Sequence, residues 1–468
     1  MRATLAFFLL AAVLLVRPSQ AATTTPASVN AIQTSVHDAR QKTEATILDW
    51  LKVTAVPFDS PEPSPAELKP LLDALGTPRV IGLGEMTHGT HEDTAFKASV
   101  IRALIERGGI DALAFELNRK TGERLDRFVA PGSTETAPAP AMKDAKVYGV
   151  WMTEELATLL DWIRRWNATA VKPVRIVGVD VQAVSADLMD ALAALDRLQP
   201  EAASRLRGSV AQWLTPESMK RHQIETLQSQ DTAKWATALE TARELESALQ
   251  GRDADGYNAA QAARLGLESL EYDVPGKAAS GWDVPDEVAA RRDIAMASRL
   301  LAAIPAGRRG VLWAHDAHIS RADASYGLGY TTVGAQLHHV LGAADYRTLT
   351  FSARQIDFNA KEVTDTKSAA RETPFSVWRY DSRPEDLGAF LARTGRARFW
   401  VDLRKLPASE AGVTFRHLTY GRPWFGWRIG KPVDARLPVP VGYGSDILVQ
   451  FDQMTPSHRL PIDTAKNP

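Results

Sequence analysis

An alternation early in the chain constrains the fold most. Val80-Ile-Gly-Leu83 is a short apolar run of strand type that breaks at Gly84. Glu92 to Arg107 then carries apolar residues at helical spacing, with Phe96, Val100, Ala103 and Leu104 on one face, and Gly108-Gly109 closes it. Ile110-Asp-Ala-Leu-Ala-Phe115-Glu116 is a second strand. Strand, helix, strand is a βαβ unit, and such units make parallel strands.

The pattern continues. Pro173 to Gln182, Gly310 to His318, Arg347 to Ala353, Ala397 to Leu403 and Asp446 to Asp452 read as further strands. Thr153 to Trp166 and Glu287 to Ile304 read as helices, and a shorter helix runs from Pro65 to Gly76. Residues 130–146, rich in Pro, Ala and Thr, read as a loop. From Ser185 to Leu270 the chain turns to Ala, Leu, Glu, Arg and Gln without β-branched runs, which predicts a helical insert. The expected fold is α/β: a mostly parallel central sheet flanked by helices, with the insert forming one side of a cleft. In that reading residues 22–184 and 271–468 are the two parts of the catalytic core and 185–270 is the insert.

Arg2 followed by the apolar run Leu5 to Val16 has the length of a signal-peptide core rather than of a membrane span, and Ser19-Gln20-Ala21 offers small residues for cleavage. Residues 1–21 are therefore expected to be an export signal, an uncleaved anchor being the alternative. The mature protein is expected to be periplasmic or secreted, with no stable membrane association. It has no cysteine, which removes disulfides, a thiol nucleophile and thiolate metal ligands. A formal net charge of −1 gives no basic excess for nucleic acid or an anionic membrane.

The strands end in reactive groups. Glu85 and His88 follow the first, Glu116 ends the second, Asp180 and Gln182 the third, His315 and His318 the fourth. Ligands of open parallel sheets bind at the carboxyl ends of strands, so neighbouring strands would bring these groups together. Glu85-x-x-His88 sets a carboxylate beside an imidazole, which fixes its tautomer and raises its basicity toward water. His315 and His318 can orient a carbonyl, stabilise an oxyanion or bind a metal. Lys97 offers positive charge, and Glu92 is either a site residue or a helix-start acid. His91, His338 and His339 read as satisfied core histidines, and His222, His417 and His458 have no sequence neighbours that suggest a role. No His-Glu-x-x-His, Gly-x-Ser-x-Gly or phosphate-binding loop is present.

These motifs resemble those of the erythromycin esterase family, which also takes in proteins labelled as succinoglycan biosynthesis proteins. The resemblance rests on Gly84-Glu85-Met-Thr-His88-Gly89, then Glu92 and Lys97, then Glu116. It continues with Gly178-Val-Asp180-Val-Gln182, Arg292-Asp293-Ile-Ala-Met296-Ala297 and Trp313-Ala-His315-Asp-Ala-His318. It implies an α/β core with a helical insert and hydrolysis of a lactone or other carboxylic ester, a macrolide among them. The implied chemistry is water activated by His88 without a covalent intermediate. Glu85 and Glu116 would position the base and the water, and His315, with His318, would polarise the carbonyl. Lys97 stands where some members have Arg. His318, Glu92, Asp180, Gln182 and Arg292 are then the expected substrate-binding residues, the substrate is a small-molecule ester, and no cofactor is needed. A divalent metal held by the same histidines and carboxylates is one alternative. A non-catalytic, envelope polysaccharide-related binding protein is the other.

Overall fold

The computed structural model describes residues 26–214, 232–269, 286–321, 331–363, 372–429, 433 and 436–461. The expected export segment, residues 1–21, lies outside them. Among the described residues no helix is long and apolar enough to cross a membrane.

In chain order the strands are β1 (Val56–Pro57), β2 (Val80–Leu83), β3 (Ala112–Asn118), β4 (Arg175–Asp180), β5 (Gly310–Trp313) and β6 (Tyr346–Val363). They continue as β7 (Glu372–Asp381), β8 (Arg398–Asp402), β9 (Thr419–Pro423), β10 (Arg428–Ile429), β11 (Arg436–Pro440) and β12 (Ile447–Met454). Ten of them form one sheet with the order β1-β8-β12-β6-β2-β5-β3-β4, while β7 and β10 pair with β6. From β12 to β4 every neighbouring pair is parallel. The antiparallel pairs are β12 with β8, β8 with β1, and β6 with β7. The expected mostly parallel sheet is present.

Both faces of the sheet are covered, which is why the central strands are apolar throughout. Ile81, Leu83, Leu113, Phe115, Val311 and Trp313 pack into a core with the helices Pro65–Leu75, Glu92–Glu106 and Glu154–Asn167. The alternate residues Val80, Ala112, Ala114 and Leu312 pack on the other side against Met296, Leu300 and Leu337. The helices Val184–Leu198, Pro200–Ser209, Thr232–Leu249 and Ala254–Ser269 share a separate apolar cluster around Leu188, Leu192, Trp213 and Leu245.

Several local expectations change. Glu116 sits inside β3 rather than at its end, because β3 runs on to Asn118 through a register shift against β4. Within the expected loop 130–146 lies the helix Pro138–Asp144, whose own Met142 is buried. The fourth strand stops at Trp313, and His315 caps a short helix, Asp316–Ile319, through Nδ1. β6 continues ten residues past the expected Ala353, to Val363. Its second half alternates polar residues with Ile356, Phe358 and Ala360, so it lacks the continuous apolar run that marks the central strands. The helix after β2 is not one-sided. Nearly all of it is buried, Lys97 included.

Candidate active site

The order β2-β5-β3-β4 makes the four strands with reactive ends immediate neighbours. Their carboxyl ends open into a cavity of about 390 Å³ lined by His88, Glu116, Gln182, Arg292, His315 and His318. The rest of the lining is largely aromatic and basic, with Tyr148, Trp151, Phe375, Trp427 and Lys361.

The loop after β2 is placed by close backbone packing. A Cβ on Gly84 would lie 1.8 Å from Asp316 Oδ1, and one on Gly89 would lie 2.1 Å from the Asn359 carbonyl oxygen. Gly89 O accepts from Asn359 N and Ser457 N, each at 3.0 Å. The loop therefore turns between β6 and the C-terminal segment, and His88 is delivered to the cavity.

Glu85, itself in that loop, is buried and surrounded by donors. His88 Nδ1 donates to Oε1 at 2.5 Å, and Trp151 Nε1 at 3.2 Å. Lys97 Nζ and Trp313 Nε1 donate to Oε2, the latter at 2.9 Å. Lys97 is itself fully buried, with Nζ 4.1 Å from the centre of the Trp313 ring. Burial alone would push the Glu85 carboxyl up, but the charges of Lys97 and His88 outweigh it and bring it down to about 2. Glu85 is therefore ionised at neutral pH and holds His88 with Nδ1 as the protonated nitrogen. That leaves Nε2 as the nitrogen able to take a proton.

A second cluster lies beside His88. Arg292 donates to both oxygens of Asp180, at 3.0 and 2.8 Å, and to Glu116 Oε1 at 3.0 Å. Tyr148 Oη and Gln182 Nε2 donate to Asp180 Oδ2 at 3.3 and 2.7 Å. His318 places Nδ1 2.8 Å from Asp293 and Nε2 3.1 Å from Glu116. Burial works against charge on His318, yet Asp293 and Glu116 raise it to about 10, so it is an imidazolium. Glu116 is held well below the usual carboxylate range: burial opposes this, and His318 and Arg292 overcome it. Arg292 Nη1 stands 3.3 Å from His318 Nε2, two protonated nitrogens held together by the carboxylates around them.

His315 differs from its expected role. Its Nε2–H donates to the carbonyls of Met86 and Phe425, both at 3.1 Å, and its Nδ1 accepts from Ala317 N. Burial, then the charge of His88, lowers it to about 3, so it is neutral. With both ring nitrogens used by the backbone, no N–H remains to polarise a substrate carbonyl. Its ring instead packs against His88, centroids 5.2 Å apart.

Glu92 also differs. It accepts from Thr455 N at 2.6 Å and Thr455 Oγ1 at 2.7 Å, so it ties the C-terminal segment to a helix start and does not line the cavity. Trp151, Tyr148, Lys361, Phe375 and Trp427 are lining residues that sequence reasoning missed. They come from irregular segments and a hairpin with no periodic signal. A metal on the cavity histidines fits poorly. The His315 nitrogens are engaged by the backbone, and both His318 nitrogens carry protons toward carboxylates.

Comparisons with known proteins identify the family and the fold. A model of the family described as erythromycin esterase matches residues 105–426. Over 147 residues the chain is 31% identical to a Bacillus subtilis (strain 168) protein named as a hydrolase, covering 31% of this chain and 32% of that one. Over 135 residues it is 27% identical to the erythromycin esterase type II of Escherichia coli, covering 28% and 31%. The matched stretches thus span about a third of either relative's length. Among solved structures, a Bacillus cereus protein shares the fold with a TM-score of 0.73 at 22% identity, over 89% of this chain and 99% of that one. A succinoglycan biosynthesis protein does so with a TM-score of 0.73 at 17% identity, with coverage of 89% and 99%. An erythromycin esterase variant in its open conformation matches with a TM-score of 0.64 at 16% identity, with coverage of 87% and 99%. At such identities the structural likeness speaks to fold.

Proposed function

Given that the chain belongs to the erythromycin esterase family, we propose that it is a hydrolase of that family that cleaves a carboxylic ester, a lactone included, with water activated by His88. The observation that carries this reading is the line Lys97–Glu85–His88, in which two buried charges orient an imidazole at the cavity wall.

In the proposed reaction His88 Nε2 takes a proton from water as the water oxygen bonds to the ester carbonyl carbon. Glu85 stabilises the imidazolium that forms, through the 2.5 Å bond at Nδ1. The oxyanion develops in a cavity whose lining includes the charged His318 and Arg292, together with Lys361. Collapse breaks the bond from the carbonyl carbon to the alkoxy oxygen, and His88 returns its proton to the leaving oxygen. Acid and alcohol are released, and no bond to the protein forms. Glu116 holds His318, Arg292 and the His315 backbone in place, and is a positioning residue in this scheme. Tyr148 is raised well above its ordinary value, by burial first and then by Asp180, so its hydroxyl stays protonated.

The test is hydrolysis of macrolides and simple aryl esters by wild type and by His88→Ala. A loss of about 10²- to 10⁴-fold in kcat is expected, with circular dichroism unchanged. A folded His88→Ala variant with full activity would refute the assignment. Turnover of nothing in the panel, with saturable saccharide binding, would move the reading to the binding protein, a role that Trp427 and Phe375 at the cavity would suit.

A further inference from the structure

Outside the cavity, three residues far apart in sequence meet on one patch. His91 immediately precedes the helix Glu92–Glu106, Glu155 lies in the first turn of the helix Glu154–Asn167, and His458 lies in the segment after β12. His91 Nδ1 is 2.7 Å from Glu155 Oε1, and His458 Nδ1 is 3.2 Å from the same oxygen. The two imidazole rings lie 4.7 Å apart, centre to centre. One nitrogen from each histidine and one carboxylate oxygen all fall within 4.8 Å of one another.

The arrangement is built rather than incidental. The backbones of the two histidines are tethered: His91 N donates to Thr455 O at 2.8 Å, and His458 O accepts from Glu154 N at 2.8 Å. His458 N donates to Glu155 Oε1 at 3.0 Å. Oε1 thus faces three nitrogens, while Glu155 Oε2 is buried with no hydrogen-bond partner, on a side chain only 6% exposed. A buried carboxylate oxygen without a partner is costly. A cation at this point would engage it.

The donor set defines the kind of cation. Imidazole with a single carboxylate suits zinc and its transition-metal neighbours, whereas calcium and magnesium prefer an oxygen shell. Bonds of 2.0–2.1 Å in tetrahedral geometry put ligand atoms about 3.3 Å apart. Two of the observed separations, 2.7 and 3.2 Å, are already near that. The His458 side chain, 59% exposed, is free to make the remaining adjustment and leaves a face open to water. Glu155 first, then Glu92 and Glu62, add negative potential at His91. The two helix starts oppose a cation with roughly half a charge each, less than the carboxylates supply.

We propose that His91, Glu155 and His458 bind a divalent cation of zinc's class, with water completing the shell. The bound ion clasps the C-terminal segment against the loop that carries His88. That segment already holds the loop through Ser457 N to Gly89 O, so the clasp closes one residue beyond an existing contact.

The test is Zn²⁺ alone, titrated against a competing colorimetric chelator into the full chain freed of metal. One ion is expected to bind. His91→Ala and His458→Ala should each weaken it by roughly ten-fold or more, and His88→Ala should leave it unchanged. Zn²⁺ should also raise Tm for wild type and for His88→Ala but not for His458→Ala, whose exposed side chain is not needed for folding. No stoichiometric Zn²⁺ on wild type would overturn the proposal. So would binding that survives His458→Ala but is lost in His88→Ala, which would place the ion in the cavity.

Discussion

Lys97→Met is the sharpest probe of the proposed relay. Met keeps an unbranched chain of similar length, so little packing is lost, but the ammonium bonded to Glu85 disappears. Glu85, 1% exposed, keeps its bonds from His88, Trp151 and Trp313 and loses the largest attraction opposing its burial. In the intact protein the carboxyl is brought from 4.5 down to about 2, which corresponds to about 3 kcal/mol in favour of the ionised folded form. Removing one partner of a buried pair costs a similar amount, about 3–5 kcal/mol. Urea denaturation at neutral pH should therefore show the variant less stable by about 3–5 kcal/mol. Because the folded value is depressed, the contribution is present above the ordinary carboxylate range and is lost as pH falls from 4.5 toward 2. The variant can relieve its stranded charge by protonating Glu85 at a higher pH than wild type does. Its deficit should therefore narrow on going from neutral pH to about pH 4. Lys97→Met combined with Glu85→Gln should recover part of the loss, since no buried charge is then left alone. A deficit below about 1 kcal/mol, the range of an exposed pair, or one that does not change with pH, refutes the reasoning.

Three further outcomes are expected. Glu92→Gln should leave KM for any ester substrate unchanged while lowering stability by about 1–3 kcal/mol, because it weakens two bonds to Thr455; a raised KM at full stability would return Glu92 to the substrate site. Gly89→Ala should cost about 1–3 kcal/mol in denaturation and lower kcat more than it raises KM, since its Cβ meets the Asn359 carbonyl oxygen at 2.1 Å. Wild-type kcat in that variant would show that the loop's close packing does not position His88. His318 is held above its ordinary 6.5, at about 10, so its contribution is full below pH 6.5 and is lost as pH rises through about 10. The stability deficit of His318→Gln should therefore be large at neutral pH and small in strong alkali, and thermal unfolding across that range would detect the opposite trend.

Much of the cavity lining was legible because parallel strands advertise their ends. A continuous apolar run that stops at Glu85 or His315 is a one-dimensional signal, and adjacency of strand ends turns it into a site. The boundaries of β2 and of the helix from Glu92 were readable for the same reason, being set by local breakers and spacing. The second half of β6 was not, because a strand half-exposed to solvent carries no unbroken apolar run. Trp151 offered no sequence signal of its bond to Glu85, since nothing in a 3₁₀ turn indicates what lies across from it.

By itself, then, the sequence determined a parallel α/β framework and the identity of the groups at its strand ends, because hydrophobic period and strand polarity are local properties. Tertiary structure alone decided what each group does with its lone pairs and protons. It turned His315 inward to backbone carbonyls, sent Glu92 to Thr455, and sealed Lys97 beside Glu85. It also brought His91, Glu155 and His458 together across hundreds of residues. The physical reason is that protonation and hydrogen bonding depend on distance and desolvation in three dimensions, which sequence spacing does not encode.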